Sequence, residues 1–520
     1  MSDNLERNTR TNSSLTLISR CMGLVRDGAL SRLFGAGAFA SAFYFAFLIP
    51  NLFRRLFGEG ALAAAFLPSY SKLQLQDPQL AKAFATLTIA KLVALLGVLT
   101  VVGELLLWAI IASQSEPSTS LKLTMVMLPY MPLVCLVAIF GAMLHVHDKF
   151  GPTASAPIIL NGFMIAAAYG FAGVFGNQIY HLMWIGVSVV LAGIVQVAWS
   201  LFALRRYGWF TKETQPARGE LKIMTQRMLP MIVGLGTLQI NTLLDGFVAN
   251  WTNLFGRQFF FGLEYPLNEG AMATLTWAQR LYQFPLGVFG IALATAIYPL
   301  LTKQTKDDDT FASTIQRGLR LVVFIGLPAS AGLIFIREPL ATVVFQGVNF
   351  TSENAIQVGT ILLGYATAVW AYSMMQVLTR GFYAKEDAMT PVRIAMFCVG
   401  LNFILNILLI WTPLNTSGLA WSTAICGVIQ VCILLVVIRK HVLVPVNSAV
   451  VRSWCSTAVL TLVMSGAVAF VVHQLWNPMG GWGHSSLVLA VAVGIGITTV
   501  VAGSVLLKKP ELRWILGRNR

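Results

Sequence analysis

About fourteen predominantly apolar stretches, each roughly 20 residues long or longer, occupy most of this 520-residue chain. A helix needs about 20 such residues to cross the hydrocarbon core of a bilayer. The composition agrees, because 56% of the residues are hydrophobic and 11% are charged, against about 25% charged residues in soluble domains. The sequence therefore predicts an all-α, multi-pass membrane protein.

The predicted spans have boundaries defined to within several residues. They lie at 14–34, 37–57, 81–112, 121–146, 154–176, 181–204, 224–250, 271–300, 318–336, 355–380, 391–411, 416–438, 450–473 and 485–507. The first two carry several charges and are the least lipid-like of the set.

Positive charge is distributed unevenly between the two sets of alternating loops. One set, with the C-terminal tail, holds most of the Lys and Arg residues, whereas the other offers little beyond Lys122, Arg257 and Arg337. The positive-inside rule therefore predicts that both termini are cytoplasmic. The net charge of +15 would suggest nucleic acid on a soluble protein. Here basic loops beside an anionic leaflet explain it, and no nucleic-acid partner is predicted.

Two segments that lie six spans apart share a weak pattern. IPNLF (49–53) leads to FLPSYSK (66–72), and FPLGVF (284–289) leads to IYPLLTK (297–303). Each has a proline within the span, an Ala-containing stretch, and P-x-x-x-K at the end. The pattern favours two parallel six-helix lobes, an arrangement in which transporters form substrate sites between repeats. The predicted organisation is two lobes, followed by two further helices with a tail: 1–210, 211–445 and 446–520.

Four arginines lie well inside predicted spans and outnumber the nearby acids, even if Asp27 and Glu59 each neutralise one of them. They are Arg20, Arg26, Arg54 and Arg280. Surplus arginine in a low dielectric needs an anion or a water-filled cavity, and its planar fork suits phosphate or carboxylate. These residues therefore predict an anion site. The alternative, structural ion pairs or snorkelling side chains, is favoured for Arg32, Lys91 and Glu104.

Other polar motifs give no support for an enzyme or a metal site. The Asp307–Asp309 run lies in a polar loop and is typical of a solvated charge cluster, and His145 and His147 are too closely spaced to share one helical face. No nucleophile-elbow, phosphate-loop or H-E-x-x-H pattern occurs.

Several stretches resemble one bacterial family over almost the whole chain. They are SRCMGLVRD (19–27), FGAG (34–37), AFLIPNLFRRLFGEGALAAAFLP (46–68), QRLYQFPLGVFGIALAT (279–295) and FYAKEDAMTPV (382–392). These segments look like the MurJ or MviN lipid II flippases, and the arrangement PN-x-x-RR-x-x-x-EGA is a specific signature of them.

The resemblance implies a fold and an activity. The family belongs to the multidrug/oligosaccharidyl-lipid/polysaccharide exporter superfamily, with two six-helix lobes, and adds two C-terminal helices that line a groove for the undecaprenyl tail. Its members carry lipid-linked peptidoglycan precursor from the cytoplasmic to the periplasmic leaflet of the bacterial inner membrane by alternating access. It implies no cofactor and no enzyme activity, and leaves open coupling to the membrane potential or to an ion.

The resemblance also carries residue roles. The family's essential arginines correspond to Arg20, Arg26, Arg54 and Arg280 here, as substrate-binding residues. Supporting positions are Asp27, Arg55, Glu59, Ser41, Asp245 and Gln283. Family members usually have an acid where this chain has Ser41, and some have acids where Gln279 and Gln283 stand beside Arg280. An arginine–acid gate through position 41 is therefore in doubt, and Asp245 is the remaining candidate counter-charge.

Two alternatives stay open from the sequence. A related polysaccharide-lipid or drug exporter would share the fold without needing the arginine set. A scaffold or polytopic enzyme of cell-wall synthesis would place catalytic carboxylates in an extracytoplasmic loop. The expected partners are lipid II and membrane lipids, with the chain acting as a monomer or together with the cell-wall synthesis machinery.

Overall fold

The computed structural model describes residues 2–58, 60–171, 173–257 and 262–516. In this part of the chain nineteen α-helices follow one another. The first nine are α1 (Ser2–Phe34), α2 (Ala38–Phe53), α3 (Ala61–Gln76), α4 (Pro78–Ser113), α5 (Thr119–Met127), α6 (Tyr130–Val146), α7 (Gly151–Gly170), α8 (Gln178–Leu204) and α9 (Arg218–Phe255). The other ten are α10 (Ala271–Pro285), α11 (Ala292–Lys303), α12 (Asp308–Phe345), α13 (Ser352–Ala366), α14 (Val369–Ala384), α15 (Met389–Leu409), α16 (Ser417–Val437), α17 (Ser448–Leu475), α18 (Gly481–Leu506) and α19 (Pro510–Ile515).

Each predicted span corresponds to one helix or to two helices in succession, which confirms the all-α membrane fold. Ten of these stretches are long and apolar enough to cross a bilayer within the described residues, and the pair α13–α14, bent by 41°, makes an eleventh. The other three predicted spans correspond to α1, to α2 with the π-helical turn at Arg54–Gly58, and to α9, whereas α3 lies between the second and third predicted spans. The count of fourteen is therefore approximate. Helix α1 also begins well before the predicted residue 14, because backbone hydrogen bonding continues a helix into polar sequence that hydropathy does not mark.

Side-chain caps fix where several helices begin. Asp77 accepts hydrogen bonds from the backbone N–H groups of Gln79 and Leu80, and Pro78 occupies the first turn of α4. Asn447 caps α17 through the N–H of Val450. Such caps satisfy N–H groups that a helix cannot pair internally, so they separate consecutive membrane helices at defined residues.

The described chain packs as two compact units, Met1–Ala273 and Thr274–Arg520. The first unit thus includes α9. The predicted lobe boundaries at 210 and 445 concern a repeat of six helices, and they stay a prediction.

A π-helical turn follows the proline motif in each unit. In the first it spans Arg54–Gly58, between α2 and α3; in the second it spans Leu286–Ile291, between α10 and α11. Proline lacks the N–H that continues an α-helix and its ring crowds the preceding turn, and π turns recur at functional sites. The succession of proline helix, π turn and second helix is the structural form of the sequence repeat, and the first turn begins at Arg54.

Candidate substrate-binding residues

Arg26 and Asp27 form a buried ion pair at neighbouring positions of α1. Arg26 Nε and Nη2 donate to Asp27 Oδ1 at 3.0 and 2.7 Å, and the two residues are 5% and 0% exposed. A buried charge is tolerated when it is paired and hydrogen-bonded. Arg26 therefore has a compensating carboxylate inside its own unit, as the sequence allowed for one of the arginines.

Two further side chains complete this cluster. Arg26 Nη1 donates to Asn161 Oδ1 of α7 at 3.0 Å, and the Tyr44 hydroxyl of α2 donates to Asp27 Oδ1 at 3.0 Å. Sequence reasoning missed both partners. The available signal for Asn161 was a polar amide inside an apolar span, a placement that usually marks an interhelical hydrogen bond. Together the four side chains join α1, α2 and α7.

Arg20 lies on the same helix but is exposed. It forms no hydrogen bond or ion pair within the part of the chain that the structure describes. Arg20 is therefore accessible from outside the packed helices, whereas Arg26 is buried.

Arg54 begins the π turn and is half-buried. Its Nε and Nη2 donate to Oδ1 of Asn51, one turn earlier, at 3.0 and 2.9 Å. The amide oxygen orients the guanidinium without adding a negative charge. Arg55 beside it is also half-buried, and Glu59 lies outside the described residues.

Ser41 is completely buried and accepts a hydrogen bond, at 3.2 Å, from the backbone N–H of Ala273 in the first turn of α10. A helix leaves its first N–H groups without internal partners, so the Ser41 hydroxyl satisfies one of these groups at the start of α10. The structure thus gives Ser41 a defined capping contact, and the predicted arginine–acid gate stays untested.

Asp245 lies in α9 and is 5% exposed. Its Oδ2 accepts a hydrogen bond from Nδ2 of Asn241, one turn away, at 3.2 Å. Asp245 is thus a buried carboxylate of the first unit, and its predicted role as a counter-charge stays a prediction.

Arg280 and Gln283 lie in α10, within the second unit, and both are half-buried. Gln279 Nε2 donates to the Tyr365 hydroxyl at 3.0 Å, and the ring of Tyr282 stacks on Tyr365 with centroids 4.7 Å apart. Aromatic and amide contacts to α13 therefore fix the helical turn that carries Arg280. Tyr365 was not predicted, because nothing in its local sequence distinguishes it from a core aromatic residue.

The aspartate run at the start of α12 has structural roles. Asp307 caps the helix by accepting from the Thr310 N–H at 3.1 Å, and Asp308 pairs with Lys385 at 2.7 Å. Within the described residues no group of three or more His, Cys, Asp or Glu side chains is arranged to hold a metal ion.

Comparison with known proteins identifies a family that matches nearly the whole chain. Residues 30–492 match the family described as lipid II flippase MurJ. A probable lipid II flippase MurJ of Vibrio cholerae is 32% identical over 94% of both chains. One from Rhizobium tropici is 30% identical over 94% of this chain and 90% of the relative.

Solved structures agree on the fold. The lipid II flippase MurJ in an inward closed conformation matches with a TM-score of 0.78 at 21% identity, over 96% of this chain and 99% of the other. An inward-facing multidrug resistance MATE transporter matches with a TM-score of 0.63 at 14% identity, over 83% and 97%. The structural likeness shows the architecture alone, while the family match and the relatives extend over nearly the full length: this chain belongs to the lipid II flippase MurJ family.

Proposed function

We propose that this protein is a lipid II flippase, which moves the undecaprenyl-pyrophosphate-linked peptidoglycan precursor from the cytoplasmic to the periplasmic leaflet of the bacterial inner membrane. The observation that carries the proposal is the family match over residues 30–492, together with relatives of that name matched over 94% of this chain. Arginines inside apolar helices supply the chemistry that an anionic headgroup needs.

The arginines divide into two groups in this proposal. Arg20, Arg54 and Arg280 contact the pyrophosphate and peptide carboxylates, since they are exposed or half-buried. Arg26 is held by Asp27 and Asn161, and it positions α1. An anion in a low dielectric is strongly attracted to several guanidinium groups, so the set lowers the cost of passing the headgroup through the membrane.

Alternating access would use the two π turns. A π turn is a local irregularity in the hydrogen-bond ladder of a helix, and proline-containing helices bend at such points. The turn at Arg54–Gly58, which itself carries Arg54 and Arg55, would let α2 change its orientation while α3 stays in place. The turn at Leu286–Ile291 would likewise let α10, which carries Arg280, change its orientation while α11 stays in place.

The remaining features of the proposal rest on the charge of the loops and on the family resemblance. Both termini are cytoplasmic, α17 and α18 serve the undecaprenyl tail, and the chain works without a cofactor. It acts as a monomer or with the cell-wall synthesis machinery, and the membrane potential or an ion supplies the driving force.

The test is rescue of a bacterium depleted of its own flippase, with lipid II of the outer leaflet measured directly. We expect the wild-type chain to restore growth and outer-leaflet lipid II, and a protein carrying both R54A and R280A to restore neither at equal expression. Growth without recovery of outer-leaflet lipid II, or no recovery from a well-expressed wild-type chain, would contradict the proposal. If the chain were a drug or polysaccharide-lipid exporter, neither the wild type nor the double variant would restore outer-leaflet lipid II.

A further inference from the structure

A cavity of about 290 Å³ lies between the ends of α12 and α17. Its polar lining comes from Arg337 and Glu338 on α12, and from His473 and Trp476 at the end of α17. It lies within the second unit and is separate from Arg280. Its size is near the lower limit for small-molecule sites, which suits a small polar group rather than a whole lipid.

The lining brings together one arginine and one glutamate, and it is incompletely hydrogen-bonded. Arg337 Nη2 lies 3.2 Å from Glu338 Oε1, and Trp476 Nε1 donates to Glu338 Oε2 at 3.3 Å. Nε of Arg337 is buried and has no hydrogen-bond acceptor among the described residues. Arg337 Nη1 donates to the Ile334 carbonyl at 2.7 Å, and the side chain is 30% exposed, so its accessible N–H groups can donate to a ligand oxygen in the cavity. A carboxylate has about four acceptor sites, so Glu338 can accept further donors.

The position along the helices matches a membrane interface. The basic loops adjoin the opposite ends of α12 and α17. Few cations other than Arg337 occur on the side of the cavity. Trp476 and Trp482 lie nearby, and Trp482 Nε1 donates to the Val343 carbonyl at 3.0 Å. Tryptophan is enriched at the level of lipid headgroups. The cavity therefore lies where headgroups are found, in the extracytoplasmic leaflet if the proposed orientation holds.

Apolar surface adjoins the cavity on the membrane side. Next to the cavity, Met464 and Val468 of α17 pack with Ala492 of α18, and Phe335 of α12 packs against this cluster. Phe470, in the segment of α17 that lines the cavity, is 66% exposed. Lipid-facing apolar side chains can receive acyl chains while the polar cavity receives the headgroup.

We propose that this cavity binds a zwitterionic phospholipid whose headgroup has a phosphodiester and a primary ammonium. A phosphate oxygen accepts from Arg337, and the ammonium donates to Glu338. The choice follows from charge, because an arginine with a glutamate beside it matches a headgroup that carries one charge of each sign. A purely anionic headgroup would meet the Glu338 carboxylate, and a quaternary ammonium has no N–H to donate. The proposal is independent of lipid II transport.

The experiment uses the purified full-length protein with phosphatidylethanolamine, phosphatidylglycerol or phosphatidylcholine added in turn. Lipid retention is counted by native mass spectrometry, and the melting temperature is measured beside it. We expect phosphatidylethanolamine to be retained most and to raise the melting temperature most. Arg337→Gln and Glu338→Gln should each weaken its retention by about 10-fold or more, the effect of losing a contact to a charged group.

The matched control is Arg257→Gln. Arg257 and Glu264 form another arginine–glutamate pair, 3.0 Å apart, with side chains 60% and 70% exposed, so retention should not change. If Arg337→Gln does not fold, Glu338→Gln and Arg337→Lys decide. Equal retention of the three lipids, or unchanged retention in every folded cavity variant, would overturn the proposal. An equal loss in the Arg257 variant would overturn it as well.

Discussion

Arg26 of α1 donates a hydrogen bond from Nη1 to Oδ1 of Asn161 in α7, at 3.0 Å, across 135 residues of sequence. The same guanidinium is paired with Asp27 and is 5% exposed. Removing either partner would leave a buried charge with fewer compensating groups. The contact therefore couples the conformation of α1 to α7, in agreement with a positioning role for Arg26.

The first prediction concerns this pair. Asp27→Asn should destabilise the protein by about 3–5 kcal/mol, because breaking a buried ion pair leaves the arginine uncompensated. The measurement is the melting temperature and yield in detergent. Tyr44→Phe, which removes one donor to Asp27 and keeps the pair, should cost less. An Asp27→Asn protein with wild-type stability would show that Arg26 does not depend on this carboxylate.

The second prediction concerns Ser41. Ser41→Ala removes the acceptor for the Ala273 N–H and should cost about 0.5–2 kcal/mol, as for loss of a helix cap. Lipid II binding should persist in the folded fraction. Thr88→Val is the matched control, since the buried Thr88 hydroxyl donates at 2.7 Å to Phe84 of its own helix. A larger loss of stability in the Thr88 variant would argue against the capping role.

The helices could be predicted because a long apolar segment has one stable solution in a bilayer, a hydrogen-bonded helix. The π turn at Arg54 could not, because hydropathy carries no information on hydrogen-bond register. Partners such as Asn161 were missed since their contact depends on tertiary packing of distant segments. The burial of Lys509 and Glu511, which are 4% and 1% exposed, was not predicted either, because it also depends on contacts with distant helices.

Glu511 of α19 connects the C-terminal segment to two membrane helices. Its Oε1 accepts from Arg320 Nε of α12 at 2.8 Å and from the Ser453 hydroxyl of α17 at 2.6 Å. Lys509 Nζ donates to Thr457 Oγ1 at 2.7 Å, and Trp514 lies against the Arg320 guanidinium. These contacts hold the N-terminal halves of α12 and α17 together.

The third prediction is that this connection depends on pH. Burial raises the pKa of Glu511, but hydrogen bonds from Ser453 and Arg320 outweigh burial and leave the pKa below its usual value. A lowered folded-state pKa contributes stability above the unfolded value, about 4.3, which is lost as pH falls through the folded value. Glu511→Gln should therefore lower stability by about 1.5–3 kcal/mol at pH 7. The difference in melting temperature from wild type should shrink in acid below pH ~4. A difference that stays constant with pH would contradict the ionised pairing.

The fourth prediction concerns orientation. Single cysteines at 113–120 and 477–484 should react with an impermeant reagent in whole cells, whereas cysteines at 211–219 should not, because the basic loops are cytoplasmic. The background should lack the exposed Cys21, Cys432 and Cys455. Strong labelling at 211–219 from outside would invert the topology, and with it the leaflet from which lipid II is loaded.

The fifth prediction tests whether each of the accessible arginines binds the anionic headgroup. Arg20→Ala, Arg54→Ala and Arg280→Ala should each weaken lipid II binding by about 10- to 150-fold, which corresponds to about 1.5–3 kcal/mol for a contact to a charged group. Lysine should rescue these positions only in part, since it supplies charge without the planar fork. The measurement is lipid II binding beside purified yield and melting temperature for each variant.

Two further variants separate binding from stability. Arg26→Ala should lower the melting temperature as well as binding, since it leaves Asp27 buried at 0% exposure without its ion-pair partner. Arg32, which is exposed on α1, should tolerate alanine with both quantities near wild type. If Arg20, Arg54 and Arg280 lost stability in step with binding, their role would be structural. Wild-type binding in all three alanine variants would eliminate the anion site, because a ligand charge compensated by these guanidinium groups cannot lose them without a loss of affinity.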